Sequence, residues 1–182
     1  MPTCVHKIEF RNKLAERVKK NPVSFQPGVN LLIGPNGSGK STICSSLAKN
    51  PKHPDVAFDV TPGKFRFFDF ERDNPRVKSY VESDIDIYVR MMSHGEVIKE
   101  LLKTLTQKGV QDEAVIIDEP EAAVDVDGIE QLIKSLRASP AHQVIVATHC
   151  PFLIWQSDFN IVELVDGYRE HVKTRVEKLL TR

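Results

Sequence analysis

The sequence predicts an α/β fold with a mainly parallel central sheet flanked by helices, plus a small antiparallel β part near the N-terminus. Three observations carry this expectation. The runs VNLLI (29–33), AVII (114–117) and QVIVAT (143–148) are short, apolar and without alternation, as in strands buried on both faces. Amphipathic helical patterns lie between and after them, and strands alternating with helices imply crossovers and parallel pairing. The 182 residues suit one domain, 1–182.

Taken in order, VHKIEF (5–10) alternates as a half-buried strand does, and RNKLAERVKK (11–20) suits a short surface helix or an elaborated hairpin loop. VSF (23–25) reads as a short strand before VNLLI. A helix is expected from about Lys40 to Lys49. Residues 50–75 hold Pro51, Pro54, Pro62 and Pro75. Between these prolines lie two strand-like pieces, DVAFDV and KFRFFDF, joined by the turn sequence Thr61-Pro62-Gly63. Residues 76–91 give no clear period. HGEVIKELLKTLTQK (94–108) has Val97, Ile98, Leu101, Leu102 and Leu105 at helix spacing, with Gly109 placed to end it. GIEQLIKSLRA (128–138) is amphipathic and stops at Ser139-Pro140. NIVELVD (160–166) predicts a strand, and YREHVKTRVEKLL a closing helix.

Composition narrows the function classes. Lys and Arg total 25, as do Asp and Glu, so the formal net charge is zero. That argues against a chain-wide basic surface for nucleic acid. Local basic clusters do occur, at Lys7/Arg11/Lys13/Arg17/Lys19/Lys20 and at Arg169/Lys173/Arg175/Lys178. No stretch reaches the ~18 apolar residues of a membrane span, and the N-terminus lacks a signal-peptide core. Cys4, Cys44 and Cys150 form no close pair and no metal spacing, which points to free thiols in a reducing compartment. A cytoplasmic protein without a membrane partner is expected.

Gly34-Pro35-Asn36-Gly37-Ser38-Gly39-Lys40-Ser41-Thr42 satisfies G-x-x-x-x-G-K-[ST]. Glycines let backbone N–H groups turn inward as an anion nest at a helix N-terminus. Lys40 would reach the β- and γ-phosphates of a nucleotide, and the Ser41 hydroxyl would hold Mg²⁺. The alternative is a plain glycine-rich strand-to-helix turn, but a buried strand before it and a helix after it fit the phosphate loop. VIIDEP (115–120) places Asp118 and Glu119 at a strand end. Asp118 would hold Mg²⁺ through water, and Glu119 would orient or deprotonate an attacking water. An ordinary acidic turn is the bland reading of the same residues.

Together these residues resemble an ABC-type ATPase, of the kind used in DNA repair and chromosome maintenance rather than in transporters. Four further features carry the resemblance. Ser93-His94-Gly95-Glu96 resembles the signature motif, whose serine and glycine bind the γ-phosphate of ATP held by the opposite subunit. Ala122-Ala123-Val124-Asp125 resembles the D-loop of the dimer interface. His149 resembles the switch histidine at the γ-phosphate, and Asp118-Glu119-Pro120 is itself typical. The intervals of 25 residues from Ser93 to Asp118 and 31 from Asp118 to His149 are similar to the family's. SHGE, DEPEAA and ATHCPFL together are most similar to small predicted ATPases of bacteria and phages. Each residue also has a local reading. Ser93 with Glu96 forms a helix capping box, Asp125 caps a helix, and His149 stands at a strand end.

The resemblance implies ATP and Mg²⁺ as ligands. It implies a head-to-tail homodimer in which Ser93 and Gly95 of one copy close on the phosphate loop of the other. The chain departs from the pattern in one respect: no glutamine lies between Gln26 and Gln107, where a Q-loop would supply one. KFRFFDFERD occupies that place, and Asp69 or Glu71 could substitute there. Phe65, Phe67, Phe68 and Phe70 fit a core better than an adenine platform. The 53 residues from Lys40 to Ser93 leave room only for a reduced helical arm, about 50–108, and none for a coiled coil. Three functions stand open. The first is an ATPase coupled to dimerisation, the second an ATP-responsive module with negligible turnover that recruits an unidentified protein partner. The third, least favoured by the neutral charge, acts on duplex DNA.

Overall fold

Apolar runs without alternation can satisfy both their faces and their backbone only inside a covered parallel sheet, and that is where they lie. A computed structural model describes residues 2–49, 54–61, 63–70 and 94–181. Its strands are β1 (Cys4–Phe10), β2 (Val23–Ser24), β3 (Gly28–Ile33), β4 (Val56–Thr61), β5 (Phe65–Asp69), β6 (Ala114–Asp118), β7 (Gln143–Thr148) and β8 (Asn160–Glu163). Its helices are α1 (Asn12–Ala15), α2 (Lys40–Lys49), α3 (His94–Thr106), α4 (Val126–Ala138), α5 (Pro151–Ile154) and α6 (Tyr168–Leu180). Five strands form one sheet in the order β5-β6-β7-β3-β8, each pairing parallel. Strands β2, β1 and β4 form a separate antiparallel sheet.

The central strands alternate between two cores. Leu31, Ile33, Val115, Ile117, Val144 and Val146 pack on α3, α4 and α5 through Leu101, Leu105, Ile129, Leu132 and Leu153. Leu32, Ile116, Ile145 and Ala147 face the other way, onto Ile43 and Leu47 of α2 and onto Val5, Ile8 and Phe10 of β1. The small sheet and α2 thus cover one face of the parallel sheet, and the other helices cover the opposite face. The phenylalanines of the β5 segment join these cores. Phe70 is buried and Phe68 packs on the first core, while Phe65 and Phe67 pack on the second.

One glutamine joins the two sheets. The β1 ladder shifts register between Val5 and Lys7, and the shift leaves the polar groups of Val5 to find partners elsewhere. Gln143, at the start of β7 and fully buried, takes both. The Val5 N–H donates to Gln143 Oε1 at 2.8 Å, and Gln143 Nε2 donates to the Val5 and Gln26 carbonyls at 2.9 Å each.

Elsewhere the differences from the sequence reading have local causes. The helix expected within 11–20 is only Asn12–Ala15, because Val18 is drawn into the core and the Lys19 N–H bonds to the Ser38 carbonyl at 3.0 Å. DVAFDV and KFRFFDF do not pair with each other. The chain between them passes from one sheet to the other, and Pro62 lies outside the described residues. Helix α3 stops at Thr106, where the hydroxyl bonds back to the Leu102 and Lys103 carbonyls and Gln107 turns extended; Gly109 falls in a short 3₁₀ turn instead. Strand β8 ends at Glu163 because its carboxylate accepts the N–H groups of Gly167 and Arg169, folding the chain into α6.

Gln143→Leu keeps the volume and removes three hydrogen bonds, two of them to the buried Val5 backbone. It should cost about 2–4 kcal/mol, since each orphaned buried group carries its own desolvation penalty. The measurement is a lowered urea midpoint at unchanged slope; an unshifted midpoint would mean that other contacts hold the two sheets together.

Candidate functional site

Register sets the site. Across the parallel pairings Ile33 lies beside Thr148, Ala147 beside Asp118, and Asp118 beside Asp69. The loops after β3, β6 and β7 therefore leave the same sheet edge, with β7 between the other two. Ligands of open α/β sheets bind at such carboxyl-terminal edges.

The loop after β3 turns directly into α2, whose first residue is Lys40. Gly37 and Gly39 have φ of 74° and 101°, in the left-handed region that L side chains rarely adopt. At Gly39 space is limiting as well: an added Cβ would stand 2.6 Å from the Arg17 carbonyl oxygen and 2.9 Å from the Val18 Cα. The Lys40 ammonium is buried at 4% exposure and donates to the loop carbonyls of Gly34 at 3.1 Å and Pro35 at 3.5 Å. The Ser38 hydroxyl is buried with no hydrogen-bond partner among the described residues. Free N–H groups at a helix start, a buried ammonium and an unpaired hydroxyl make this loop an anion cradle.

A cavity of about 510 Å³ opens over the loop. Asn36, Gly37, Gly39, Lys40, Ser41 and Thr42 line it together with Glu119, His149 and Arg17. Asp118, the last residue of β6, is 3% exposed. Glu119 follows with φ 52° and ψ 54°, a left-handed conformation that costs a non-glycine residue about 1–3 kcal/mol. Its N–H donates to the Ala147 carbonyl at 2.9 Å and holds it there. The His149 ring stands between two carboxylates, its Nδ1 3.6 Å from Glu119 Oε1 and 3.5 Å from Glu121 Oε1.

The donor set suits Mg²⁺. No group of three or more metal-type side chains occurs among the described residues. Mg²⁺ characteristically takes one or two protein oxygens and completes its shell with phosphates and water. Ser41 on the cavity wall and Asp118 at the strand end match that requirement. Beneath them, burial pushes the Cys44 thiol well up from its ordinary range. The charges of Asp118, Asp69 and Glu119 add to the rise, and Lys40 opposes it. Cys44 itself is fully buried in the core under α2.

Of the residues singled out in the sequence, the structure brings Asn36, Gly37, Gly39, Lys40, Ser41, Thr42, Glu119 and His149 to one cavity, with Gly34, Ser38 and Asp118 in the elements that form it. Asp69 ends β5 beside Asp118 and is buried. Ser93 and Glu71 lie outside the described residues. Gly95 lies in the first turn of α3 and is not among the described residues lining the cavity. Asp125 caps α4, its Oδ1 accepting the Gly128 N–H at 2.9 Å, and is likewise not on that wall.

Two residues were not assigned to this site from the sequence. Arg17 lay in a charged run with no motif around it. Glu121 could have been suspected as a third carboxylate within four residues of a strand end. The basic clusters are partly engaged. Arg169 donates to the Ile154 and Gln156 carbonyls, Lys173 lies near Glu170 and over the Trp155 ring, Lys20 meets Asp166, and Lys7 meets Glu9.

No protein-family model matches the sequence, and no curated protein sequence does. Among solved structures the chain is similar to a protein described as an ABC transporter ATP-binding protein from Pyrococcus furiosus. The TM-score is 0.52 and the identity 14%, over 89% of this chain and 96% of that one. It is also similar to a bacterial Atm1-family ABC exporter solved with ATP bound. There the TM-score is 0.55 and the identity 15%, over 97% of this chain and 42% of the exporter's. At such identities the likeness is one of fold: the same α/β architecture serves ATP-binding proteins of the ABC class. No helix among the described residues is long and apolar enough to cross a membrane.

All three cysteines are free and buried, and burial raises each thiol above its ordinary range. The folded protein should therefore resist a thiol reagent at neutral pH and yield three reactive thiols only after denaturation. Rapid labelling of Cys44 in the native state would show that the core beneath α2 opens to solvent.

Proposed function

We propose that this chain binds Mg-ATP in the cavity above the β3–α2 loop and hydrolyses it, pairing head-to-tail with a second copy. The observation that carries the reading is convergence: a cradled ammonium, a helix-start hydroxyl, two strand-end carboxylates and a histidine meet at one sheet edge.

In this reading the loop N–H groups and Lys40 hold the β- and γ-phosphates, and Ser41 and Asp118 hold the metal. Bound Mg²⁺ offsets phosphate charge as it builds toward the transition state. Glu119, held in its left-handed conformation, orients or deprotonates the attacking water. His149 contacts the γ-phosphate. Ser93 and Gly95 of a second copy close the site, and Asp125 lies at that interface. Loss of the γ-phosphate then removes what joins the two copies. The resemblance in motifs and the shared fold support this reading. The short interval from Lys40 to Ser93 supports action apart from a transporter membrane domain; a cytoplasmic location and an unidentified protein partner complete the proposal. A repair-type role on duplex DNA draws less support, because Arg169 and Lys173 are engaged within the protein.

A second reading, an ATP-responsive module with negligible turnover, is favoured by Asp69. An acidic residue stands at the end of β5 where the resembled family carries a glutamine. Phosphate release separates the two. Lys40→Ala should abolish ATP binding, and Glu119→Gln should bind ATP but lower kcat by roughly 100-fold or more, the ordinary worth of a positioned base. Sedimentation of Glu119→Gln with Mg-ATP should show a dimer. Tight ATP binding without wild-type turnover selects the module. A monomer at saturating Mg-ATP overturns head-to-tail pairing.

A further inference from the structure

A buried carboxylate ties the acidic strand end to the loop after β7, and the phosphate chemistry above does not use it. Glu121 lies in the 3₁₀ turn Pro120–Ala123. Its Oε1 accepts three hydrogen bonds from three consecutive residues: the Thr148 hydroxyl at 2.7 Å, the His149 N–H at 2.7 Å and the Cys150 N–H at 3.0 Å. The Thr148 hydroxyl also accepts from the Cys150 N–H at 3.0 Å, which closes the ring of bonds.

The need for such an acceptor follows from the chain path. Strand β7 ends at Thr148, so the next two N–H groups lose the carbonyl partners that the sheet supplied within the strand. A carboxylate is the strongest available substitute. The substitution is costly elsewhere, because the Glu121 side chain is only 11% exposed and its Oε2 has no hydrogen-bond partner among the described residues. A glutamate in a turn after a strand end is ordinarily solvated. This one is aimed, through a single oxygen, at one short loop. Oε1 is occupied and Oε2 is buried, so Glu121 is badly placed to activate water. Its effect passes through the residue it holds.

We infer that Glu121 is a positioning residue that clamps residues 148–150 and sets His149 on the wall of the cavity that Lys40 also lines. This rests on the hydrolysis reading for the catalytic consequence, though not for the clamp itself. The His149 ring already lies 3.6 Å from Glu119 and 3.5 Å from Glu121, so a small shift of its backbone moves it off the wall. The turn that carries Glu121 leads straight to Asp125 and α4, so the clamp also makes the switch-like loop and the segment ahead of α4 move together. What matters in this role is an accepting oxygen, and charge is secondary.

Glu121→Gln and Glu121→Ala separate these properties, since glutamine keeps an oxygen able to accept all three bonds. Glu121→Gln should hold kcat within ~3-fold of wild type, and Glu121→Ala should lose roughly 10–100-fold in kcat, the scale of a misplaced group, with the Kd for ATP little changed. In the nucleotide-free protein, amide exchange at His149 and Cys150 should speed by ~10-fold or more in Glu121→Ala alone, as local opening becomes easier. If Glu121→Ala does not fold, Thr148→Val removes one donor and should give an intermediate loss in both readouts.

Equal losses in Glu121→Gln and Glu121→Ala would overturn the positioning role in favour of charge. Unchanged exchange in Glu121→Ala would overturn the clamp. Faster exchange with wild-type turnover would overturn the link to catalysis. If the wild type releases no phosphate, that failure belongs to the hydrolysis reading, and the exchange arm still decides the clamp.

Discussion

The parallel register of β3, β7 and β6 is the constraint on which the site depends. Ile33, Thr148 and Asp118 end their strands within one residue of a common line. A slip of one residue in any pairing would turn that strand's side chains to the opposite face. Leu32 and Ile116 would then leave the α2 side, and the strand-end loop would rise or fall by ~3.3 Å against its neighbours. The register is over-determined because every residue of β6 and β7 is buried. The same apolar packing that stabilises the sheet therefore places the chemical groups, and the site needs no separate scaffold.

On that edge, two positions are held by a backbone irregularity matched to its surroundings. Gly39 is left-handed, and the chain at Arg17 and Val18 has closed over the space where a side chain would stand. Glu119 is left-handed too, without being glycine, and its N–H is captured by the Ala147 carbonyl. Ser38 and Glu121 each keep a buried oxygen without a partner among the described residues. Such strained and unsatisfied groups are rare in an optimised interior and gather where a ligand or a moving loop completes the bonding. Ser38, Glu119 and Glu121 all lie in the loops that leave this sheet edge.

Legibility followed the range of the interaction. Gly34 to Thr42 could be read directly as a tight strand-to-helix turn, because such a turn depends on local φ, ψ and helix start, which residue type encodes. The three apolar runs were legible for a similar reason, since double burial leaves its mark on each strand separately. Long-range bonds left no such mark. Nothing in the local sequence of Gln143 says that it joins two sheets, and nothing beside Arg17 says that it borders the cavity. Glu121 was hidden in plain view within DEPE, because its three donors come from residues 27 to 29 positions away. The turn at 61–63 was read as joining two strands, and it does, but turn chemistry cannot tell a hairpin from a passage between sheets.

The charge total, zero for the chain, conceals how charge is arranged at the site. Lys40, Arg17 and Glu119 line the same cavity, and Asp118 ends the strand immediately before Glu119. A bare polyphosphate drawn to Lys40 would bring its negative charge against those two carboxylates, and in a partly buried site such repulsion is strong. A divalent cation placed between them reverses the sign of that interaction and makes the acids part of the binding site. Under the proposed reading, a nucleotide accompanied by its metal is therefore favoured over a nucleotide alone. The evenly charged backbone of a nucleic acid gains instead from an uninterrupted basic surface. In that reading the cations would hold phosphate, and the acids would hold the metal and direct the water.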